Sequence, residues 1–289
     1  MNFRELSKLI TLLENDPLKG REEIKKLEKK DSIVVGITGS PGAGKSTLVD
    51  RLIECYRKRG KTVGVIAVDP SSPFSGGAFL GDRIRMKRHF TDDGVFIRSM
   101  ASRGSLGGVN DSVFDVVDAY RAYGFDVILI ETVGAGQTEV EIAYVAQTVL
   151  LVLSPGSGDD VQMLKAGITE IADVFVINKS DVPGADALEL SLRAMMEISE
   201  WEGWIPPIIR TVATTGKGVE ELCGAIEKHQ EYLRESGEIE ERMKRSVKKH
   251  AEHVLMNRMR SIMEGIEGGF EEVLEETIRR LCSGSLPSP

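Results

Sequence analysis

The sequence predicts an α/β fold in which a mainly parallel β-sheet is flanked by helices. Apolar, β-branched segments alternate with helical segments, and this alternation is typical of parallel strands covered on both faces. A glycine-rich loop, Gly39–Thr47, lies between the first strand and a helix, and a polar motif, Asn178–Asp181, follows a later strand. We expect both motifs at the carboxyl ends of strands, where open α/β sheets bind ligands.

Seven segments combine apolar character, β-branched residues and the short length of buried strands. The predicted strands are Ile33–Thr38, Val63–Val68, Val95–Arg98, Val127–Glu131, Thr148–Leu153, Val174–Asn178 and Ile208–Val212. The segments between them predict the helices that cover the sheet.

Helical patterns also flank the strand region, so the sequence predicts three parts. Residues 1–30 are expected to form an N-terminal helical extension, residues 31–236 the domain that contains the strands and both motifs, and residues 237–289 a C-terminal helical arm. The arm is highly charged, with apolar residues at helical spacing over Glu238–Glu264 and again over Phe270–Leu281. Its apolar stripe needs a partner surface, which is either its own domain or a second subunit.

The glycine-rich loop matches the phosphate-binding P-loop, Gly-x-x-x-x-Gly-Lys-Ser/Thr. Glycines let successive backbone N–H groups turn toward a phosphate, and the following helix N-terminus adds partial positive charge. We expect Lys45 to reach the β- and γ-phosphates as a catalytic residue and Ser46 to ligate Mg²⁺. The predicted phosphate-binding residues are Gly39, Ser40, Pro41, Gly42, Ala43, Gly44, Lys45, Ser46 and Thr47.

The second motif, Asn-Lys-x-Asp, predicts which base is bound. The carboxylate of Asp181 can accept hydrogen bonds from guanine N1–H and the exocyclic amine, a donor pair that adenine lacks. We expect Asn178 to support the loop and Lys179 to pack its stem on the base. Leaving a buried carboxylate unpaired would penalise an adenine nucleotide, so the motif favours GTP and GDP.

Three carboxylates between these motifs are candidate metal ligands. Asp69 and Glu131 end predicted strands, and Asp82 lies in a glycine-rich loop. Glu131 begins a Glu-x-x-Gly element that has the form of the Asp-x-x-Gly element of GTPases, and its extra methylene leaves contact through water as an alternative to direct ligation. A helix-cap or solvated-loop role stays open for each carboxylate. Gln137 lies where small GTPases position the attacking water, and a simple switch-loop role is its alternative. With Lys45, Glu131 and Gln137 are the candidate catalytic residues.

Composition limits the remaining function classes. The formal net charge is −8 over 289 residues, which disfavours nucleic acid or an anionic membrane as the main partner. The three cysteines have no metal-ligand spacing, so reduced thiols in the cytoplasm are expected. The N-terminus shows no signal-peptide pattern, and no apolar segment approaches the roughly 20 residues that span a bilayer. These features predict a cytoplasmic protein with no membrane partner.

Six motifs of the chain occur together in one known family: Gly39–Thr47, Asp69–Gly77, Leu80–Met86, Arg98–Gly104 with Gly107 and Gly108, Glu131–Glu139, and Asn178–Asp181. From about residue 5 to about residue 280 the chain resembles this family, the methylmalonyl-CoA mutase-associated GTPases, which are MeaB-like and are also called ArgK-type or LAO/AO transport ATPases. Glutamate at position 131 departs from other GTPases but is usual in this family.

The resemblance implies a Mg²⁺-dependent P-loop GTPase that binds GTP and GDP and forms homodimers through its C-terminal arm. It implies action on an adenosylcobalamin-dependent acyl-CoA mutase, with the GTPase gating cofactor loading and protecting the mutase from inactivation. It also implies that Asp69, Asp82 and Glu131 join Ser46 around Mg²⁺.

Two further features follow from the resemblance. The loops after Asp69, Glu131 and Ser154 would be switches. A second base loop would be formed by Val212, Ala213 and Thr214, although serine is more usual at position 212.

The residues leave an alternative function open, a P-loop kinase or an ATPase linked to lysine, arginine or ornithine transport. The Asn178–Asp181 motif disfavours the kinase, because kinases of that fold mostly bind ATP without it. Transport and partition ATPases commonly carry an extra lysine early in the P-loop, where this chain has Ser40.

Overall fold

The fold was determined as a computed structural model, which describes residues 2–69, 86–101, 111–132, 138–156, 168–198 and 201–283. Within these residues the strands are β1 Ile33–Gly39, β2 Val63–Asp69, β3 Val95–Ala101, β4 Val127–Thr132, β5 Thr148–Leu153, β6 Val174–Ile177 and β7 Ile208–Arg210. The α-helices are α1 Phe3–Asn15, α2 Pro17–Lys25, α3 Lys45–Lys58, α4 Asp111–Ala122, α5 Thr138–Val145, α6 Ala185–Ile198, α7 Val219–Ser236, α8 Glu238–Met263 and α9 Phe270–Ser283.

The seven strands form one sheet in the order β3-β2-β4-β1-β5-β6-β7, and every paired neighbour is parallel. Strand β1 lies between β4 and β5, with Ile37 opposite Glu131 on one side and Leu150 on the other. The chain order reverses at β1, which is where open α/β sheets place their ligand crevice. The predicted parallel α/β fold is confirmed.

Helices cover both faces of the sheet, so its central strands are buried and apolar. Val35 and Ile37 of β1 pack in one cluster with residues of α3 and α7. On the other face, Val34 belongs to a cluster built by α1, α4 and α5. Gly36 lies on that face, where an added Cβ would come within 2.6 Å of Ile142 Cγ1, so α5 approaches β1 closely.

The N-terminal extension is fixed to this second face. Asp16 caps α2 by accepting a hydrogen bond from Lys19 N, and Pro17 occupies the first turn, where its missing N–H costs nothing. Arg21 donates from Nε and Nη2 to the buried carboxylate of Asp115 at 2.8–3.0 Å. This bidentate pair ties α2 to α4.

The chain divides into two compact units, residues 1–242 and residues 243–289. The predicted boundary between residues 236 and 237 stays a prediction. It coincides with Gly237, whose left-handed backbone (φ 77°) ends α7. The first turn of α8 belongs to the first unit, where Arg242 donates to both carboxylate oxygens of Asp173 at 2.7 and 2.9 Å.

The second unit contains the rest of α8 and all of α9. Large apolar side chains on these helices are exposed, among them Val247 at 68%, Leu255 at 57% and Phe270 at 78%. Within the described part of the chain, no helix has the length and apolar character needed to cross a membrane.

Candidate active site

The P-loop leaves β1 through glycines that the local geometry requires. Gly39 has φ 140°, and a Cβ there would lie 2.0 Å from Val152 O of the neighbouring strand. Gly44 has φ 92°, and a Cβ there would lie 2.4 Å from Asn178 Nδ2. Both positions therefore combine a backbone conformation that favours glycine with a close approach from another strand.

Lys45 begins α3 and is buried, with its ammonium turned back along the P-loop. Nζ donates to Gly39 O at 2.6 Å and to Ser40 O at 3.0 Å. The N-cap residue Gly44 has no side chain, so no side-chain oxygen occupies the amides of the first turn of α3. A cationic ammonium beside a helix N-terminus favours a phosphate group at this loop.

The side chains of Ser46 and Glu131 meet at the carboxyl end of the sheet. Ser46 Oγ donates to Glu131 Oε1 at 2.5 Å, and both residues are buried. A hydroxyl and a carboxylate are hard oxygen donors, which are the ligands that Mg²⁺ prefers. The pair therefore fits the metal role predicted for these two residues.

The other predicted metal and catalytic residues are described only in part. Asp69 is the last residue of β2. Ala67, two residues earlier, lies opposite Glu131 in the sheet, so the backbone of Asp69 lies at the same carboxyl edge as Glu131. Asp82 and Gln137 lie outside the described residues. Among the residues that are described, no group of three or more His, Cys, Asp or Glu side chains could hold a metal ion.

Asn178 connects the two nucleotide motifs. Its Nδ2 donates to Ala43 O of the P-loop at 2.8 Å, and its Oδ1 accepts from Thr211 Oγ1 and Ala213 N, both at 3.1 Å. Asn178 is buried, so these bonds are shielded from water. The side chain therefore fixes the P-loop, the end of β6 and the loop after β7 relative to one another.

Lys179 and Asp181 lie on the solvent side of this connection. Lys179 has the left-handed backbone conformation (φ 54°), and its Nζ donates to Gly42 O at 2.7 Å. Asp181 is exposed two residues further on. The bond from Lys179 holds the lysine side chain against the P-loop.

The predicted second base loop contacts α3. Val212 and Ala213 are buried and Thr214 is exposed. Arg51 of α3 donates from Nε to Ala213 O at 2.9 Å and from Nη2 to Thr214 O at 2.8 Å. Arg51 could not be selected from the sequence, because its partners in this loop are backbone carbonyls, which any loop possesses.

A second charged group on α3 was also missed. Asp50 accepts from Arg88 Nε at 2.8 Å and lies 2.9 Å from His89 Nε2. The hydrogen bond that Arg88 donates to Asp50 raises the pKa of the Arg88 guanidinium. These contacts anchor the short 3₁₀ helix Lys87–His89, which follows the predicted first switch, to the P-loop helix.

Four features together define a P-loop GTPase. They are a parallel α/β sheet, a lysine in the P-loop after the central strand, a buried hydroxyl–carboxylate pair, and an Asn-Lys-x-Asp motif hydrogen-bonded to the P-loop. Residues 6–266 match the family described as "Methylmalonyl Co-A mutase-associated GTPase MeaB". The chain belongs to this family.

Named relatives agree with that assignment. A protein of Pyrococcus horikoshii named as a GTPase is 51% identical over 283 residues, which cover 96% of this chain and 89% of the relative. A mouse protein named "Methylmalonic aciduria type A homolog, mitochondrial" is 37% identical over 233 residues, covering 77% of this chain and 55% of the relative.

Solved structures share the fold. A structure titled "Crystal structure of LAO/AO transport system kinase" has a TM-score of 0.72 at 24% identity and covers 97% of this chain and 88% of that one. Helicobacter pylori HypB in complex with nickel has a TM-score of 0.51 at 18% identity, covering 78% of this chain and 96% of that one. At these identities the likeness concerns the fold alone.

Proposed function

We propose that this protein is a guanine-nucleotide-dependent regulator of an adenosylcobalamin-dependent acyl-CoA mutase of the methylmalonyl-CoA mutase type. The observation that carries the proposal is the match of residues 6–266 to the mutase-associated GTPase family. Relatives in Mus musculus and Caenorhabditis elegans bear names that refer to methylmalonic aciduria. In this role GTP binding and hydrolysis gate cofactor loading and protect the mutase from inactivation.

The geometry supports the proposed nucleotide roles. The P-loop amides and Lys45 bind the β- and γ-phosphates, and Lys45 stabilises the negative charge that develops during transfer. Asn178, Lys179 and Asp181 recognise guanine, with Val212–Thr214 as the second base loop. The contacts of Asn178 to the P-loop and to Ala213 support this, because they bring phosphate and base recognition into one rigid unit.

Mg²⁺ is proposed to bind beside the P-loop. Ser46 and Glu131 would hold it, with Asp69 and Asp82 as further candidates and water completing its shell. A bound Mg²⁺ supplies positive charge to the phosphate oxygens. The protein residues position that charge: Glu131 orients the Ser46 hydroxyl through the bond at 2.5 Å.

Intrinsic hydrolysis is proposed to be slow, on the order of one turnover per minute or less, as in GTPases that lack a built-in arginine finger. The sequence assigns the arginine-finger role to no residue, and Arg83, Arg98 and Arg103 are only candidates for it. Of these, Arg98 pairs with Glu14 of α1. That pairing gives Arg98 a role in holding the N-terminal extension. The mutase would then speed turnover by ordering the switch loops, in which Gln137 is the candidate for positioning water.

The arm is proposed to form a homodimer. Val247, Leu255 and Phe270 are more than half exposed, and contact with a second copy would remove such side chains from water. The net charge of −8 disfavours non-specific association and nucleic acid as a partner. The cytoplasm is the proposed location.

The mutase proposal is tested by mixing the protein with a methylmalonyl-CoA mutase freed of its cobalamin. We expect co-elution on a sizing column that depends on whether GDP or a non-hydrolysable GTP analogue is present, and a GTP turnover raised by at least about tenfold. The Lys45→Ala variant is the matched control for nucleotide dependence. No complex under either nucleotide, with turnover unchanged, would reject the mutase role and leave the alternative of a kinase or transport-linked ATPase.

A further inference from the structure

The loop that follows β7 is held by the P-loop helix through Arg51. This side chain is about one-quarter exposed, and each of its three guanidinium nitrogens has a partner. Nε bonds Ala213 O, Nη2 bonds Thr214 O, and Nη1 bonds Glu54 Oε2 at 2.8 Å. Since the guanidinium is planar and its donors are fixed relative to one another, these bonds orient the loop as well as attract it.

Two consecutive carbonyls held in this way determine where the neighbouring amides point. In a planar trans peptide the C=O of one residue and the N–H of the next point in opposite directions. Holding Ala213 O against Arg51 therefore turns the N–H of Thr214 away from α3. Holding Thr214 O does the same for the N–H of Thr215, which donates to Val212 O at 3.0 Å.

Asn178 fixes the loop from the other side. Its Oδ1 accepts from Ala213 N at 3.1 Å, while Arg51 takes the carbonyl of the same residue. Ala213 is buried, so the two bonds act on a backbone segment with little access to water. The orientation of the base loop thus depends on one side chain of the Asn-Lys-x-Asp motif and on one arginine of the P-loop helix.

We propose that Arg51 is a positioning residue for guanine specificity. It aims the N–H of Thr214 at the 6-oxo group of the base, since the amides of Val212 and Ala213 donate to Lys217 O and Asn178 Oδ1. It acts through the loop without touching the nucleotide. This role rests on the proposed guanine recognition. Guanine has an acceptor at position 6 where adenine has a donor, so amide N–H groups at that position favour guanine only while they stay aimed at it.

The test compares nucleotides that differ at one position of the base. Inosine diphosphate keeps the 6-oxo group of GDP and lacks its 2-amino group, whereas 2-aminopurine riboside diphosphate keeps the amino group and lacks the 6-oxo group. Dissociation constants are measured by calorimetry for the wild type, Arg51→Ala and Arg51→Lys, with thermal unfolding recorded for each. Lysine keeps the charge but cannot span two carbonyls as a fork.

A matched control is available on the same helix. Arg57 donates from Nε and Nη2 to Asp92 at 2.9 and 2.8 Å and from Nη1 to Lys61 O at 2.8 Å. It therefore makes contacts like those of Arg51 but does not contact the base loop. Arg57→Ala removes a comparable guanidinium, and we expect it to change the relative affinities of the three nucleotides by less than about twofold.

For Arg51→Ala we expect GDP and inosine diphosphate to bind about tenfold more weakly, with 2-aminopurine riboside diphosphate within about twofold of wild type. Arg51→Lys should show a smaller loss with the same pattern. An equal loss for all three nucleotides would mean that Arg51 only stabilises the fold, and unchanged affinities would mean that the loop keeps its orientation without it. Either result overturns the proposal.

The guanine assignment can fail separately. If the wild type binds ADP as tightly as GDP, the proposed nucleotide specificity is wrong and this role of Arg51 falls with it. If the wild type discriminates and Arg51→Ala discriminates equally well, only the role of Arg51 is rejected.

Discussion

Ser46 Oγ donates a hydrogen bond to Glu131 Oε1 at 2.5 Å, which joins the residue after the P-loop lysine to the strand end that precedes a predicted switch. The two residues are 85 positions apart in the chain and meet because β4 lies beside β1. A hydroxyl oriented by a buried carboxylate is suited to bind a cation that also contacts phosphate. This pair makes the metal dependence of the site testable.

We expect Ser46→Ala to raise the Mg²⁺ concentration needed for half-maximal GTP hydrolysis by at least about tenfold, because one oxygen ligand is removed. Glu131→Gln should shift it in the same direction. GDP affinity measured in excess chelator should stay within about twofold of wild type for Ser46→Ala, since the P-loop amides and Lys45 remain.

Glu227→Gln is the control for loss of a carboxylate, since Glu227 pairs with Arg59 at the other end of α3. An unchanged Mg²⁺ dependence in both Ser46→Ala and Glu131→Gln would show that the metal binds elsewhere.

Lys45→Ala should reduce GTP hydrolysis by about a hundredfold or more and weaken GTP binding, because it deletes the positive charge at the β- and γ-phosphates. The measurement is phosphate release at saturating GTP. Thermal unfolding in the absence of nucleotide should show that the variant is folded. Hydrolysis within a factor of two of wild type would mean that the P-loop is not the active site.

His229 should make the first unit less stable in mild acid. It is fully buried, and its pKa is lowered from 6.5 to about 4. Burial is the main cause, Asp173 and Glu238 oppose the shift, and Arg242 adds to it. Between pH 6.5 and about pH 4 the imidazole of His229 is therefore protonated in the unfolded chain but neutral in the folded protein. The free energy of unfolding should fall as the pH drops through 6.5 toward 4, by on the order of 2 kcal/mol at pH 4.5.

Denaturant unfolding at pH 7.0 and pH 4.5 measures this effect, with His229→Gln as the variant that cannot titrate. The wild type should lose more stability between the two pH values than the variant does. Equal losses would assign the acid sensitivity to other groups.

Removal of residues 247–289 should give a monomer that still binds GDP. The truncated protein keeps Arg242 and its ion pair with Asp173, so the first turn of α8 stays in place. It removes the exposed apolar side chains of the arm, each worth roughly 1.5–3 kcal/mol when fully buried. Light scattering on the full-length protein and on the truncated protein gives the two masses. A full-length monomer at tens of micromolar would reject the homodimer.

The sequence was sufficient for features whose chemistry is local. The P-loop and the Asn178–Asp181 motif are contiguous, and the strands are apolar runs between turns, so both could be found without knowing what lies nearby. Strand ends were less accurate because pairing decides them. β3 extends to Ala101, since it pairs with β2 as far as Asp69, and β7 ends at Arg210, because Val212 turns to bond Lys217.

Contacts between distant segments could not be predicted in the same way. Arg51 lies 162 residues from Ala213, and its partner atoms are carbonyl oxygens, which leave no mark in the sequence. The tether from Asn178 to Ala43 spans 135 residues and likewise ends on a carbonyl. The charged groups around His229 are Asp173, just before β6, and Glu238 and Arg242 of α8. Its buried site was therefore not apparent from its neighbours in sequence.

Guanine recognition by the Asn178–Asp181 motif is tested by calorimetric titration of the full-length protein with GDP and with ADP under the same conditions, repeated with the Asp181→Asn variant and xanthosine diphosphate. Asp181 should pair with the guanine N1–H and amine, so GDP should bind at least about tenfold tighter than ADP, and the variant should shift its preference toward the xanthine nucleotide. Equal affinities of the wild type for GDP and ADP would contradict the assignment of this protein as a guanine-nucleotide switch.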